Sequence, residues 1–273
     1  MVNSIASRID AVQDKMTKTD KIFLEYLKSS NYSDIVYLSI TELSELSGVG
    51  EATILRFCRK LGLKGYQEFK LVLAQELPKN RSTESEGFFG IIADNMISVI
   101  TETKDIIDEK YINEAVEMLV NSRRKYFFGL GNSRIVAMEA KARLMRIGFH
   151  VDALLDSHFM SMTTSTLTSE DVIVLVSLSG STKDILEVAE IAKENGVKII
   201  VITNYSKSPV IRYADIILYT VRKEGPLEGG SLISKISQLY LIDVLCTGIT
   251  LYINSDANNM LEKTARAVVN KIL

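Results

Sequence analysis

Five consecutive apolar residues, Val172-Ile173-Val174-Leu175-Val176, run directly into Ser177-Leu178-Ser179-Gly180-Ser181-Thr182-Lys183-Asp184. A β-branched run without polar alternation reads as a buried strand. Small hydroxyl residues and a glycine behind it read as the opening of a helix. Such a helix start offers unpaired backbone N–H groups and a partial positive charge, and so suits an anion. The hydroxyls of Ser177, Ser179, Ser181 and Thr182 add donors without adding charge. The pattern fits a phosphate carried on a polar small molecule. A plain N-cap is the other reading, but a cap needs only one or two hydroxyls.

A second stretch repeats this grammar. Lys125-Tyr126-Phe127-Phe128 leads into Gly129-Leu130-Gly131-Asn132-Ser133-Arg134 and then into helical sequence. It lacks the third glycine of the dinucleotide fingerprint, and no acidic residue closes a later strand at the matching distance. No cofactor is expected. Two such turns on neighbouring strands would open one crevice at the carboxyl ends of the sheet. Gly131, Asn132 and Ser133 then join the hydroxyl loop as candidate ligand-binding residues.

Around these turns, strands at 124–129, 149–154, 171–176, 198–203 and 215–220 alternate with helices at 133–147, 158–167, 182–195 and 208–213. This alternation indicates a five-stranded parallel sheet covered on both faces. Helices at 88–105 and 109–121 precede it, and helices at 232–253 and 256–272 follow. Residues 1–77 read instead as helices with no strand. Thr17-Lys18-Thr19-Asp20 looks like a capping box followed by Ile22, Phe23, Tyr26 and Leu27 at helical spacing, and Ser39 with Glu42 makes another. The 51–61 helix carries Ile54, Leu55, Cys58 and Leu61 on one stripe, with Gly62 as its C′ residue. Residues 78–87 are polar and aperiodic, and read as a linker. The expected fold class is an all-α domain at 1–77 followed by an α/β domain at 88–273.

Composition narrows the function. With 47% hydrophobic and 24% charged residues among 273, the chain fits a soluble globular protein. We read no apolar run long enough to span a membrane and no signal-peptide core at the N-terminus, so a cytoplasmic location is expected. Cys58 and Cys246 read as reduced core thiols. Two histidines and two cysteines without ligand spacing argue against a structural zinc site. A formal net charge of −2 gives no global attraction to nucleic acid, so DNA binding would need a local basic face.

Residues 40–61 supply such a face, with a short helix, a turn at Gly48 and a second helix with a polar outer side. Glu51, Ala52 and Thr53 open the second helix and would point at base edges. Arg56, Arg59, Lys60 and Lys64 would reach bases or phosphates. An ordinary solvated helix face is the plainer reading, and Glu51 and Glu68 dilute the positive charge.

The run Ser39-Ile40-Thr41-Glu42-Leu43-Ser44-Glu45-Leu46-Ser47-Gly48-Val49-Gly50-Glu51-Ala52-Thr53-Ile54-Leu55-Arg56-Phe57-Cys58-Arg59-Lys60-Leu61-Gly62, continued by Gly65-Tyr66-Gln67-Glu68-Phe69-Lys70, resembles the DNA-binding module of RpiR-type bacterial transcriptional regulators. Thr41 is carried as a DNA-facing candidate as well. One departure is Gly50, where the family usually has a serine whose hydroxyl caps the helix or touches a phosphate. The C-terminal half resembles the SIS (sugar isomerase) domain of these regulators, through Gly129-Leu130-Gly131-Asn132-Ser133, the hydroxyl loop, Thr203-Asn204, Ser208-Pro209, Ala214-Asp215 and the helix holding Gln238, Leu241, Ile242 and Asp243. It implies that Ser177, Ser179, Ser181 and Thr182 hold the phosphate of a phosphosugar and that Ser133 contacts the sugar.

An isomerase would also need a general base over the sugar's C1–C2 edge. His158, Glu224 and Glu228 are present, but none sits in a motif that names a catalytic role. His158 and Glu228 are carried as effector-site candidates, as is Lys235 on the following helix. The expected function is an effector-responsive, DNA-binding regulator of sugar metabolism, with a phosphosugar isomerase bearing an appended helix-turn-helix as the alternative. The expected partners are a double-stranded operator, a phosphosugar, and a second copy of the chain joined through the apolar helices at 88–105 and 232–253, with no membrane.

Overall fold

The computed structural model describes residues 4–77, 88–221 and 232–269. The linker at 78–87 and the candidates Glu224 and Glu228 lie outside the described residues. The chain falls into two compact units, one within Met1–Ile91 and one built on Ile92–Arg222 and Leu232–Leu273.

The first unit is helical: α1 Ile5–Val12, α2 Lys18–Ser29, α3 Tyr32–Ile35, α4 Ile40–Ser47, α5 Glu51–Lys60 and α6 Tyr66–Glu76. Both capping boxes form. The Thr17 N–H donates to Asp20 Oδ2 at 2.7 Å, and the Ser39 N–H donates to Glu42 Oε2 at 2.7 Å. Gly62 follows α5 at φ +77°, and the Leu63 N–H reaches back to the Cys58 carbonyl at 3.1 Å, as a left-handed C′ residue allows. The core holds Phe23, Leu27, Leu43, Ile54, Phe57, Cys58, Phe69 and Leu73. Phe23 and Phe57 meet edge to face with centroids 5.0 Å apart. The stripe of α5 thus runs through Phe57, while Leu55 is only half-buried. On α2, Ile22 points outward, and Leu24 takes the inward position beside Phe23 and Leu27.

The second unit begins in α7 Phe88–Ile106 and α8 Glu109–Asn121. There follow β1 Lys125–Gly129, α9 Ser133–Arg146, β2 Val151–Leu154, α10 Ser157–Thr164, β3 Val172–Val176, α11 Lys183–Glu194, β4 Lys198–Thr203, a 3₁₀ turn Pro209–Tyr213, β5 Ile216–Tyr219, α12 Ile233–Ile253 and α13 Ser255–Val268. All strands are parallel, in the order β2-β1-β3-β4-β5. Alternate residues feed two cores. Phe127, Val174, Val176, Ile202 and Leu218 pack under α8, α9 and α12. Phe128, Ile173, Leu175, Ile199 and Val201 pack under α10, α11 and the 3₁₀ turn. Truncating one such Leu or Ile to Ala costs about 2–5 kcal/mol.

Two features fix the ends of this sheet. At its amino edge, Asp171 has no solvent exposure and accepts from Arg124 Nη2 at 2.8 Å, Arg123 Nη2 at 3.1 Å and the Thr168 N–H at 2.9 Å. Burial alone would raise its carboxyl, but these donors outweigh burial and hold it well below the usual carboxylate range. The second feature is α12. It has 21 residues and a mean hydropathy of 1.5, long and apolar enough by composition to cross a membrane, which corrects the reading that no segment is. Its inward side chains Leu241, Ile242, Leu245 and Ile249 join the core over the sheet. Cys58 and Cys246 are both buried and unpaired by disulfide. Burial pushes their thiols up to about 12 and about 11 respectively.

Candidate functional site

Because the strands are parallel, Gly129, Leu154, Val176, Thr203 and Tyr219 all end at one edge of the sheet. The strand order reverses between β1 and β3, and a crevice opens at such a switch point. Both glycine-containing turns lie there. Gly129 lets α9 approach β1, since a Cβ at this position would sit 2.5 Å from the Ser133 carbonyl oxygen. Gly131 takes φ +55°. Asn132 precedes α9 and makes no side-chain cap bond, and Ser133 opens the helix largely buried.

The hydroxyl loop is stitched to the exit of β4. The Ser177 N–H donates to the Ile202 carbonyl at 3.0 Å, and the Asn204 N–H donates to the Leu178 carbonyl at 3.2 Å. Gly180 has φ +57°, and a Cβ there would overlap the Ser208 side chain. The Ser181 Oγ and backbone N–H both lie within hydrogen-bond reach of Ser179 Oγ, at 3.1 and 3.3 Å. Thr182 precedes α11, and the start of this helix has no side-chain cap from it. Ser177 is buried, Ser179 half-buried, and Ser181 and Thr182 exposed. The loop thus grades from the sheet edge to solvent.

Four further polar groups lie outside the candidate set drawn from the sequence. Asn204 Nδ2, Ser208 Oγ, Ser234 Oγ and Gln238 Nε2 are buried without a hydrogen-bond partner among the described residues. Asn204 leads out of β4, with its Oδ1 2.6 Å from Thr220 Oγ1, and Ser208 backs Gly180. Ser234 and Gln238 lie one turn apart near the start of α12, with buried Lys235 between them. Serine and glutamine four residues apart in an apolar helix were the available signal. His158 is exposed near the start of α10, where its N–H donates to Asp156 Oδ1 at 3.0 Å.

In the first unit, Gly48 at φ +68° separates α4 from α5, and Ser44 Oγ donates to the Val49 carbonyl at 2.7 Å across the turn. Gly50 precedes α5 without a side-chain cap. Glu51, Ala52, Arg56 and Arg59 are exposed on α5, and Thr53 is half-buried and accepts from Arg56 Nη2 at 3.1 Å. Thr41 on α4 donates to Glu51 Oε1 at 2.6 Å. Lys64 is exposed beyond the helix. Lys60 departs from the DNA-facing expectation: its ammonium pairs with buried Asp20 on α2. Burial would raise the Asp20 carboxyl, but Lys60 and Thr17 outweigh it and lower it. Lys60 thus ties α5 to α2.

Comparison with known proteins fits both units. The helix-turn-helix domain of the rpiR family matches residues 3–80, and the SIS domain matches residues 118–248. An HTH-type transcriptional regulator of Clostridium perfringens is 35% identical over 277 residues, covering 97% of this chain and 99% of that protein. The HTH-type transcriptional regulator HexR of Pseudomonas aeruginosa is 30% identical over 278 residues, covering 98% and 95%. Among solved structures, the NanR protein of Vibrio vulnificus complexed with ManNAc-6P aligns with a TM-score of 0.87 at 28% identity, over 97% of this chain and 98% of that one. The chain therefore belongs to the rpiR family of helix-turn-helix transcriptional regulators that carry a SIS domain.

Proposed function

We propose that this protein is a cytoplasmic DNA-binding regulator of sugar metabolism whose second unit binds a phosphosugar that modulates operator binding. The observation that carries the reading is the β1/β3 switch point, where α9 and α11 start without side-chain caps and a cluster of hydroxyls precedes α11. Uncapped helix starts leave backbone N–H donors for an anion. The unpartnered buried groups of Asn204, Ser208, Ser234 and Gln238 support a polar ligand in the same unit, because such groups are costly unless something pairs with them. The phosphosugar held by NanR supports the ligand class.

In this reading Ser177, Ser179, Ser181, Thr182 and the first N–H groups of α11 hold the phosphate. Gly131, Asn132 and Ser133 contact the sugar, Lys235 reaches the anionic ligand from α12, and His158 remains a candidate at the site. The domain limits follow as 1–77 for DNA and 88–273 for the effector, with 78–87 between them. Two copies act together, because helix-turn-helix proteins read paired half-sites. In this reading the protein is a regulator rather than an isomerase, as its relatives named HTH-type transcriptional regulators support.

A thermal-shift screen against hexose, hexosamine, pentose and acidic sugar phosphates tests the effector reading. A true effector at a hundredfold excess over its Kd stabilises by about 2.7 kcal/mol. No shift with any member would reject this reading. Proton exchange at C2 of a binding sugar phosphate in heavy water would reject the non-enzymatic one.

A further inference from the structure

We propose that Glu51 is a base-reading residue that selects cytosine in each operator half-site, and that Thr41 is the residue positioning it. The proposal rests on the DNA-binding reading of the first unit and deepens it. Glu51 occupies the first position of α5, the helix whose leading residues face base edges in this motif. A carboxylate there is repelled by phosphates, so it does not serve affinity. Nor is it engaged in a capping box, where the carboxylate stands at the third helical position, occupied here by Thr53. The Thr41 hydroxyl, on the neighbouring helix, instead donates to Oε1 at 2.6 Å. That bond fixes the side chain before any DNA arrives. Oε2 makes no hydrogen bond among the described residues. The flanking residues are small: Gly50 has no side chain and Ala52 only a methyl, so the helix end can approach the groove floor.

Base chemistry then makes the choice. In the major groove guanine offers only acceptors, N7 and O6, and thymine offers O4 and a methyl group. Both repel a carboxylate. Adenine pairs its N6 donor with an adjacent N7 acceptor, which lies close to the second carboxylate oxygen. Cytosine presents the N4 amine with no acceptor on its own base edge, so it is the best partner for Oε2. The Thr41 hydroxyl, engaged by Oε1, is correspondingly withdrawn from phosphate contact.

The test is selection of the full-length protein on a duplex library with randomised positions, followed by sequencing of the bound pool. The parent should enrich a half-site with one near-invariant cytosine. Glu51→Ala should lose preference at that position by about tenfold while leaving the others enriched. Thr41→Val should blunt the same position, and Thr41→Ser, which restores a hydroxyl, should recover it. That rescue separates positioning from a general effect on folding, which a thermal melt of each variant checks. A pool selected by the Glu51→Ala variant with the same consensus as the parent's overturns the proposal while leaving DNA binding intact. A parent that enriches nothing overturns this proposal and the DNA-binding reading together.

Discussion

Single residues decide how strongly each site grips its ligand. Ser179 stands between the buried and the exposed hydroxyls of the loop and lies within reach of two groups of Ser181. A hydroxyl donated to a phosphate dianion contributes about 1.5–3 kcal/mol, so Ser179→Ala should lower effector affinity tenfold or more by isothermal titration. Effector-free DNA binding should be unchanged. Equal affinity in the two proteins would place the phosphate elsewhere. On α5, Arg56→Ala or Arg59→Ala should weaken operator binding by about 1–3 kcal/mol if the side chain reads a base, measured by fluorescence anisotropy at moderate salt. Lys60→Ala should instead lower the melting temperature, because its ammonium serves buried Asp20. The sequence marks Lys60 as basic and helical, but its partner lies forty residues away in sequence. That pairing follows from how α2 packs on α5, and no local pattern carries it.

At the level of elements, the turns that hold a left-handed glycine differ in what a single substitution costs. Gly48 sits at φ +68° with nothing within 4 Å of a Cβ position. Gly48→Ala therefore meets no clash and should cost only the left-handed backbone strain, about 1–2 kcal/mol in urea melts. Gly180→Ala should be worse, because the same strain is joined by overlap with Ser208 and Val210. The central strands β3 and β4 were legible because each is a compact apolar run buried on both faces, whereas β2 and β5 are shorter and only partly buried. Helix α10 was harder to bound. The side chain of Asp156 starts it at Ser157, and it stops at Thr164, short of the expected 167. Asn204, Ser208, Ser234 and Gln238 could be noticed in the sequence as polar residues, but that they are buried without a partner among the described residues is a property of the folded arrangement alone.

For the molecule as a whole, assembly and acid stability follow from what is left exposed and what is sealed. Ile92, Ile97 and Ile106 are exposed on α7, and Leu251 and Tyr252 are exposed at the end of α12. Exposed apolar side chains on these two helices are the candidates for a contact between two copies. Light scattering at micromolar concentration should give a dimer or larger, and a monomer would remove these helices as the interface. Asp171 governs the acid limb. Its folded carboxyl is depressed, so its contribution is complete above the ordinary carboxylate value of about 3.9 and is lost as pH falls through the lower folded value. Asp171→Asn should cost about 1–3 kcal/mol at neutral pH, and the gap to the parent should close on acidification. A gap independent of pH would assign the effect to packing.

The two sealed cysteines give the chain a pair of internal clocks. Cys58 is fully buried in the core of the first unit, and Cys246 is almost as deep in the core of the second. The Cys58 thiol cannot meet an alkylating reagent until its surroundings open, Cys246 borders a surface cavity with little exposure of its own, and burial suppresses the reactive thiolate of both. Each labelling rate then times the opening of one unit. A sugar phosphate that binds the sheet should slow modification of Cys246. A cognate duplex should slow that of Cys58. Any slowing of Cys58 by the sugar phosphate alone would register, without DNA present, how much of the signal crosses from one unit to the other.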